Sequence, residues 1–179
     1  VRTDRSAAVD APAAVAIDKD NLDWRTYMGD NGRSHYTPLD QINRDNVAQL
    51  ELAWKYNSGE PSGTMYTSPL IVDGVLFGLS PELVAFALDA ATGEELWRHD
   101  PELSGAQRGL MYWEQGDDKR IYYSGGSTLL ALDTTDGSPV EGFGENGRID
   151  MTPPNGRGGY MGVTVPGVVF EDKLIMGFS

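Results

Sequence analysis

The segment Ala87-Leu88-Asp89-Ala90-Ala91-Thr92-Gly93-Glu94-Glu95-Leu96-Trp97 is echoed by Ala131-Leu132-Asp133-Thr134-Thr135-Asp136-Gly137, at an offset of 44 residues. Trp54 precedes Trp97 by 43 residues. A repeat in the low forties with about four strands per period is the mark of a β-propeller blade. Each residue type in the repeat has a physical role. Alanine packs where strands crowd. The Asp carboxylate accepts backbone N–H bonds across a turn, and the Gly takes positive φ at little cost. The Trp ring buries against the neighbouring blade. One blade cannot cover both of its faces, so adjacent blades must complete its core.

The rest of the chain reads as strand almost throughout. Leu70 to Val72 and Val75 to Phe77 flank Asp73-Gly74, a two-residue hairpin turn. Strands are expected over Leu83 to Leu88 and Glu94 to Arg98. Arg120 to Tyr123 and Thr128 to Leu132 form a second hairpin around Gly125-Gly126. Val168-Val169 and Leu174 to Phe178 form a third, turning at Glu171-Asp172-Lys173. Leu39, Ile42, Val47 and Leu50 share a face at helical spacing and predict about two turns of helix, capped by Asn43 or Asp45. Residues 1–20, rich in Ala and Asp, read as a flexible lead-in. Residues 21–179 form the propeller portion. An apolar strand directly before Ser179 leads us to expect a longer polypeptide, of which this is the N-terminal part.

Composition narrows the function. Lys plus Arg total 14 against 27 Asp plus Glu, a net charge of −13, which argues against a nucleic-acid surface. No apolar stretch approaches the roughly 18 residues of a membrane span. With no Cys there is no disulfide, thiol nucleophile or Cys-ligated metal centre. His35 and His99 are 64 residues apart and suggest hydrogen-bonding or surface roles, not a metal site. Glu114 with Asp117-Asp118 reads as an acidic hairpin tip without the alternating ligand pattern of a calcium loop. The glycine pairs are not phosphate loops, since neither leads into Lys-Ser or Lys-Thr before a helix.

Several ordered motifs resemble those of one family. Ala87 to Trp97 looks like the Trp-docking motif of the pyrroloquinoline-quinone (PQQ) dehydrogenases. Asp23 to Asp30, Tyr36 to Asn43, Asn46-Val47, Thr67 to Gly74 and Arg108 to Trp113 resemble the start of those enzymes in order. Gly142 to Gly147 is similar to a segment of their glucose and polyol branch. The resemblance implies an all-β, eight-bladed propeller, of which about two complete blades and parts of two more lie in this chain. An eight-bladed ring at this period needs roughly 350 residues.

The resemblance also implies roles. Arg108 would reach a PQQ carboxylate, for which a guanidinium is well shaped; the alternative is a blade-edge ion pair. Thr164, ahead of Pro166, and Ser179 would contact the cofactor, or else serve only as turn residues. PQQ with Ca²⁺ would accept hydride from a sugar or alcohol, with the Ca²⁺ ligands and the catalytic Asp lying beyond residue 179. Further expectations are a quinone or cytochrome electron acceptor, the remainder of the propeller as partner, and a periplasmic or secreted location. The isolated chain would then be inactive. Alcohol-oxidising members carry a Cys-Cys pair before Arg-Gly, where this chain has Ser104-Gly105-Ala106-Gln107, which favours the sugar or polyol branch. Tyr66 stands where some members have Glu. Glu141 stands where the second motif would have its Trp, so looser docking is expected there. Tyr112, Trp113 and Tyr160 suit either a sugar site or inter-blade packing. Two rival readings remain: a non-catalytic scaffold propeller, and a half-propeller that oligomerises to close a ring.

Overall fold

A computed structural model describes residues 23–60, 63–105, 108–153 and 162–177. The predicted lead-in, Ser179 and Tyr160 lie outside the described residues. Two four-stranded antiparallel meanders form successive blades. The first has β1 (Leu70–Val72), β2 (Val75–Leu79), β3 (Ala85–Asp89) and β4 (Glu95–His99). The second has β5 (Met111–Gln115), β6 (Asp118–Gly125), β7 (Thr128–Asp133) and β8 (Arg148–Asp150). β9 (Val168–Phe170) and β10 (Lys173–Ile175) begin a third as an antiparallel pair. The core lies between the first two sheets, where Leu70, Leu79, Ala85 and Ala87 meet Leu110, Ile121, Tyr123 and Leu130.

The repeat works as its residue types require, and the structure gives it a direction. Trp97 Nε1 donates to the Thr134 carbonyl at 2.9 Å, so the Trp of the first blade docks on the motif turn of the second. Trp54 Nε1 donates to the Ala90 carbonyl at 3.2 Å in the same way. Residues 51–57 thus stand toward the first blade as β4 stands toward the second. Asp89 Oδ1 accepts from the amides of Ala91 and Thr92 at 3.0 and 2.8 Å, and Asp133 Oδ1 from that of Thr135 at 2.7 Å. Gly93 and Gly137 have φ of 75° and 73°. A Cβ on Gly137 would stand 2.4 Å from the Trp97 ring. At the next docking position Phe143 packs edge-on to Tyr122, with ring centroids 5.3 Å apart.

Some expectations are corrected. The short helix expected to carry Asn46 to Leu50 is a single 3-10 turn, Val47–Gln49. Leu39, Ile42, Val47 and Leu50 are 40–61% exposed, so no core rewards a helical face. Asn43 and Asn46 instead close local loops: the Asn46 side chain accepts from the Asn43 amide and the Asn43 side chain from that of Asp45. Asn46 occupies the position before the turn and makes no capping bond with its side chain. The third strand starts at Ala85, not Leu83. Ser80 Oγ accepts from the amides of Glu82 and Val84, and this turn holds Leu83 at φ 65°. Glu114 is not at a hairpin tip: it lies inside β5, opposite Lys119, and accepts from the Tyr112 hydroxyl at 2.6 Å.

The N-terminal segment is fastened across both blades. Trp24 and Ile71 exchange backbone hydrogen bonds of 2.7 and 3.1 Å. Arg25 pairs with Asp23 (2.6 Å), Glu114 (2.7 Å) and Asp73 (3.0 Å), and Lys119 pairs with Asp73 at 2.6 Å. These pairs are partly exposed, so each adds little stability, but together they fix where residues 27–35 sit.

Candidate functional site

Three blade-entry segments meet side by side. Ser68 precedes β1, Arg108 precedes β5 and Thr164 precedes β9. The Ser68 amide donates to the Arg108 carbonyl at 2.8 Å, and the Arg108 amide to the Thr164 carbonyl at 3.0 Å. The two candidate residues Arg108 and Thr164 are therefore backbone neighbours, although 56 residues apart in sequence. Gly109 is needed for this approach. A Cβ there would lie 2.8 Å from Tyr27, 3.2 Å from Pro166 and 3.3 Å from the Ser68 carbonyl oxygen. The Arg-Gly pair is thus a cation followed by the one residue that lets three chains converge. Pro69 and Pro166 occupy the entry points of their strands, where a missing N–H costs no ladder bond.

Arg108 and Thr164 line a cleft of about 700 Å³ with Val165, Pro166, Met176 and, from the N-terminal segment, Arg33. Arg108 is exposed and Thr164 half-buried. Among the described residues, the two arginines are the only charged ones lining the cleft, in a chain of net charge −13. Sequence reasoning missed Arg33. It lies outside the repeat and reaches the cleft only because residues 27–35 fold back onto the third blade. Thr67, beside Ser68, has a buried hydroxyl without a hydrogen-bond partner.

The other candidates belong to packing. Trp113 Nε1 donates to the Glu171 carbonyl at 3.1 Å, joining the second blade to the third. Tyr112 is 8% exposed, and burial together with its bond to Glu114 holds its hydroxyl well above the usual phenol range. Glu114 is correspondingly held low, first by the Tyr112 hydroxyl and then by Arg25. Tyr66 is 64% exposed and does not line the cleft. His35 is exposed. His99 is half-buried, and its Nε2 has no hydrogen-bond partner. Among the described residues no three His, Asp or Glu side chains converge as metal ligands, and no helix is long and apolar enough to cross a membrane.

Antiparallel blades joined by Trp docking, with Arg33 and Arg108 in a cleft at the blade entries, define a β-propeller. Residues 24–179 match the family described as PQQ glucose/ethanol/alcohol dehydrogenase, β-propeller domain, and the chain belongs to that family. It is 37% identical over 129 residues to the dehydrogenase subunit of the alcohol dehydrogenase (quinone) of Gluconobacter oxydans, covering 66% of this chain and 16% of that protein. It is 30% identical over 210 residues to the quinoprotein glucose dehydrogenase of the same organism, covering 95% and 26%. Among solved structures, the quinohemoprotein alcohol dehydrogenase from Comamonas testosteroni superposes with a TM-score of 0.74 at 30% identity, over 88% of this chain and 23% of that one. The chain thus spans about a quarter or less of the length of these relatives.

Proposed function

We propose that this chain is the N-terminal part of the propeller of a PQQ-dependent dehydrogenase that oxidises a sugar or an alcohol. The observation that carries the reading is the cleft at the blade entries, whose only charged lining residues among those described are Arg33 and Arg108. PQQ is a planar tricarboxylate, and a cleft whose described residues offer two guanidinium groups has the donor chemistry to hold it. When bound, PQQ supplies a two-electron acceptor for oxidation at an alcohol carbon.

The chain's own residues bind and orient. Arg108 takes a cofactor carboxylate, its backbone held between Ser68 and Thr164 so that little freedom is lost on binding. Thr164 lies in the same cleft and offers a hydroxyl. Calcium, the base that removes the substrate proton and the remaining blades are assigned to parts of the protein outside this chain. Relatives of both the alcohol and the glucose branches match, and the absent Cys pair favours a sugar or polyol substrate. A quinone or cytochrome acceptor and a periplasmic location complete the reading.

Native mass spectrometry of the protein purified from its source tests it. The expected species is much heavier than 19.5 kDa and carries one PQQ and Ca²⁺. A 19.5 kDa chain without PQQ, alone or as a closed ring of copies, would overturn it in favour of a scaffold or half-propeller.

A further inference from the structure

We infer that Arg33 is a second anchoring arginine of the cleft, binding an anionic group of the cofactor opposite or beside the one held by Arg108. The inference rests on the PQQ reading above. Arg33 and Arg108 come from segments far apart in sequence, yet both line one cleft, and among the described residues no carboxylate lines it with them. In a chain with 27 acidic residues, two cations and no acid among the described lining of one cleft favour an anionic ligand there.

The Arg33 side chain is already oriented. Its Nη2 donates to the Pro166 carbonyl at 3.1 Å, and its guanidinium lies over the Tyr27 ring at 5.4 Å from the centroid. An Arg has five N–H donors, so one bond to Pro166 leaves others for a ligand. The backbone is equally constrained. Arg33 has φ 55°, an uncommon conformation for a side-chain-bearing residue. Asp30 holds it there: the Asp30 carbonyl accepts from the Arg33 amide at 2.9 Å, and the Asp30 carboxylate accepts from the Ser34 amide and hydroxyl. A guanidinium fixed this way binds a carboxylate with little ordering cost. Two arginines also suit a cofactor with several carboxylates better than one does.

The test is equilibrium binding of PQQ to the full-length protein, read by quenching of tryptophan fluorescence. Wild type is compared with Arg33→Gln, Arg33→Lys and Arg108→Gln, and each variant's thermal midpoint is measured. Arg33→Gln should weaken PQQ binding about tenfold or more, the scale of one charge-assisted hydrogen bond. Arg33→Lys should recover part of that loss because it keeps the charge. If Arg108→Gln weakens binding and Arg33→Gln does not, Arg33 is no anchor and the PQQ reading survives. If both Arg33 variants lose affinity and thermal midpoint alike, Arg33 only supports the Pro166 loop and the inference falls. If wild type does not bind PQQ, or Arg108→Gln binds as wild type does, the PQQ reading itself fails at this cleft.

Discussion

Gly137 and Gly74 have nearly the same backbone conformation, φ 73° and 79°, but different surroundings. A Cβ on Gly74 would meet nothing within 4 Å, while one on Gly137 would collide with the Trp97 ring. Gly74→Ala should therefore cost only the left-handed penalty, about 1–2 kcal/mol. Gly137→Ala should cost clearly more, because the docked indole must also move. Urea denaturation of the two variants separates the contributions, and equal losses would mean that docking does not need the glycine. Tyr123 is fully buried with an unpartnered hydroxyl. Tyr123→Phe should leave stability unchanged or raise it by up to about 1 kcal/mol, since it removes an unsatisfied polar atom and keeps the ring. The repeat residues were legible in the sequence because each does local, repeated work. Arg33 was not, because it lies in no repeat and its place depends on how residues 27–35 fold back over Tyr27.

At the scale of elements, the strands and the hairpins at Asp73-Gly74 and Gly125-Gly126 were readable from alternation and turn chemistry. The short helix ending at Leu50 shrinks to one turn because periodicity reports a face that needs a partner, and Leu39, Ile42, Val47 and Leu50 stay largely exposed. Docking was expected between neighbouring blades, but its direction came only from the bonds of Trp54 to Ala90 and Trp97 to Thr134. The last residue of β4, His99, gives this blade edge a pH dependence. Burial, with a smaller effect from nearby Arg148, holds its pKa below the usual 6.5, while Asp100 acts weakly the other way. The unfolded chain therefore takes up this proton first as pH falls. The stability His99 contributes is fully present above about 6.5 and is lost as pH falls through its lower folded value. His99→Gln should flatten that part of the stability profile between pH 7 and 5. An unchanged slope would move the effect to another group.

At the scale of the whole chain, a net charge of −13 matters more for encounter than for folding. If the acceptor is a basic cytochrome that meets this acidic portion, electron transfer from the full-length protein should slow as ionic strength rises, because long-range attraction is screened over about 10 Å at 0.1 M salt. A rate independent of salt would remove steering from the account. Blade architecture was legible from a single repeat. The cleft was half legible, since Arg108 and Thr164 could be named but their adjacency could not. That adjacency arises where three blade entries converge over Gly109, a contact between segments 40 or more residues apart. The central claim is that this convergence makes the PQQ site. A crystal structure of the full-length protein with PQQ tests it most directly. The account predicts a PQQ carboxylate within hydrogen-bond distance of the Arg108 guanidinium, in the cleft shared with Thr164. PQQ bound elsewhere, or an empty cleft at saturating PQQ, would contradict it.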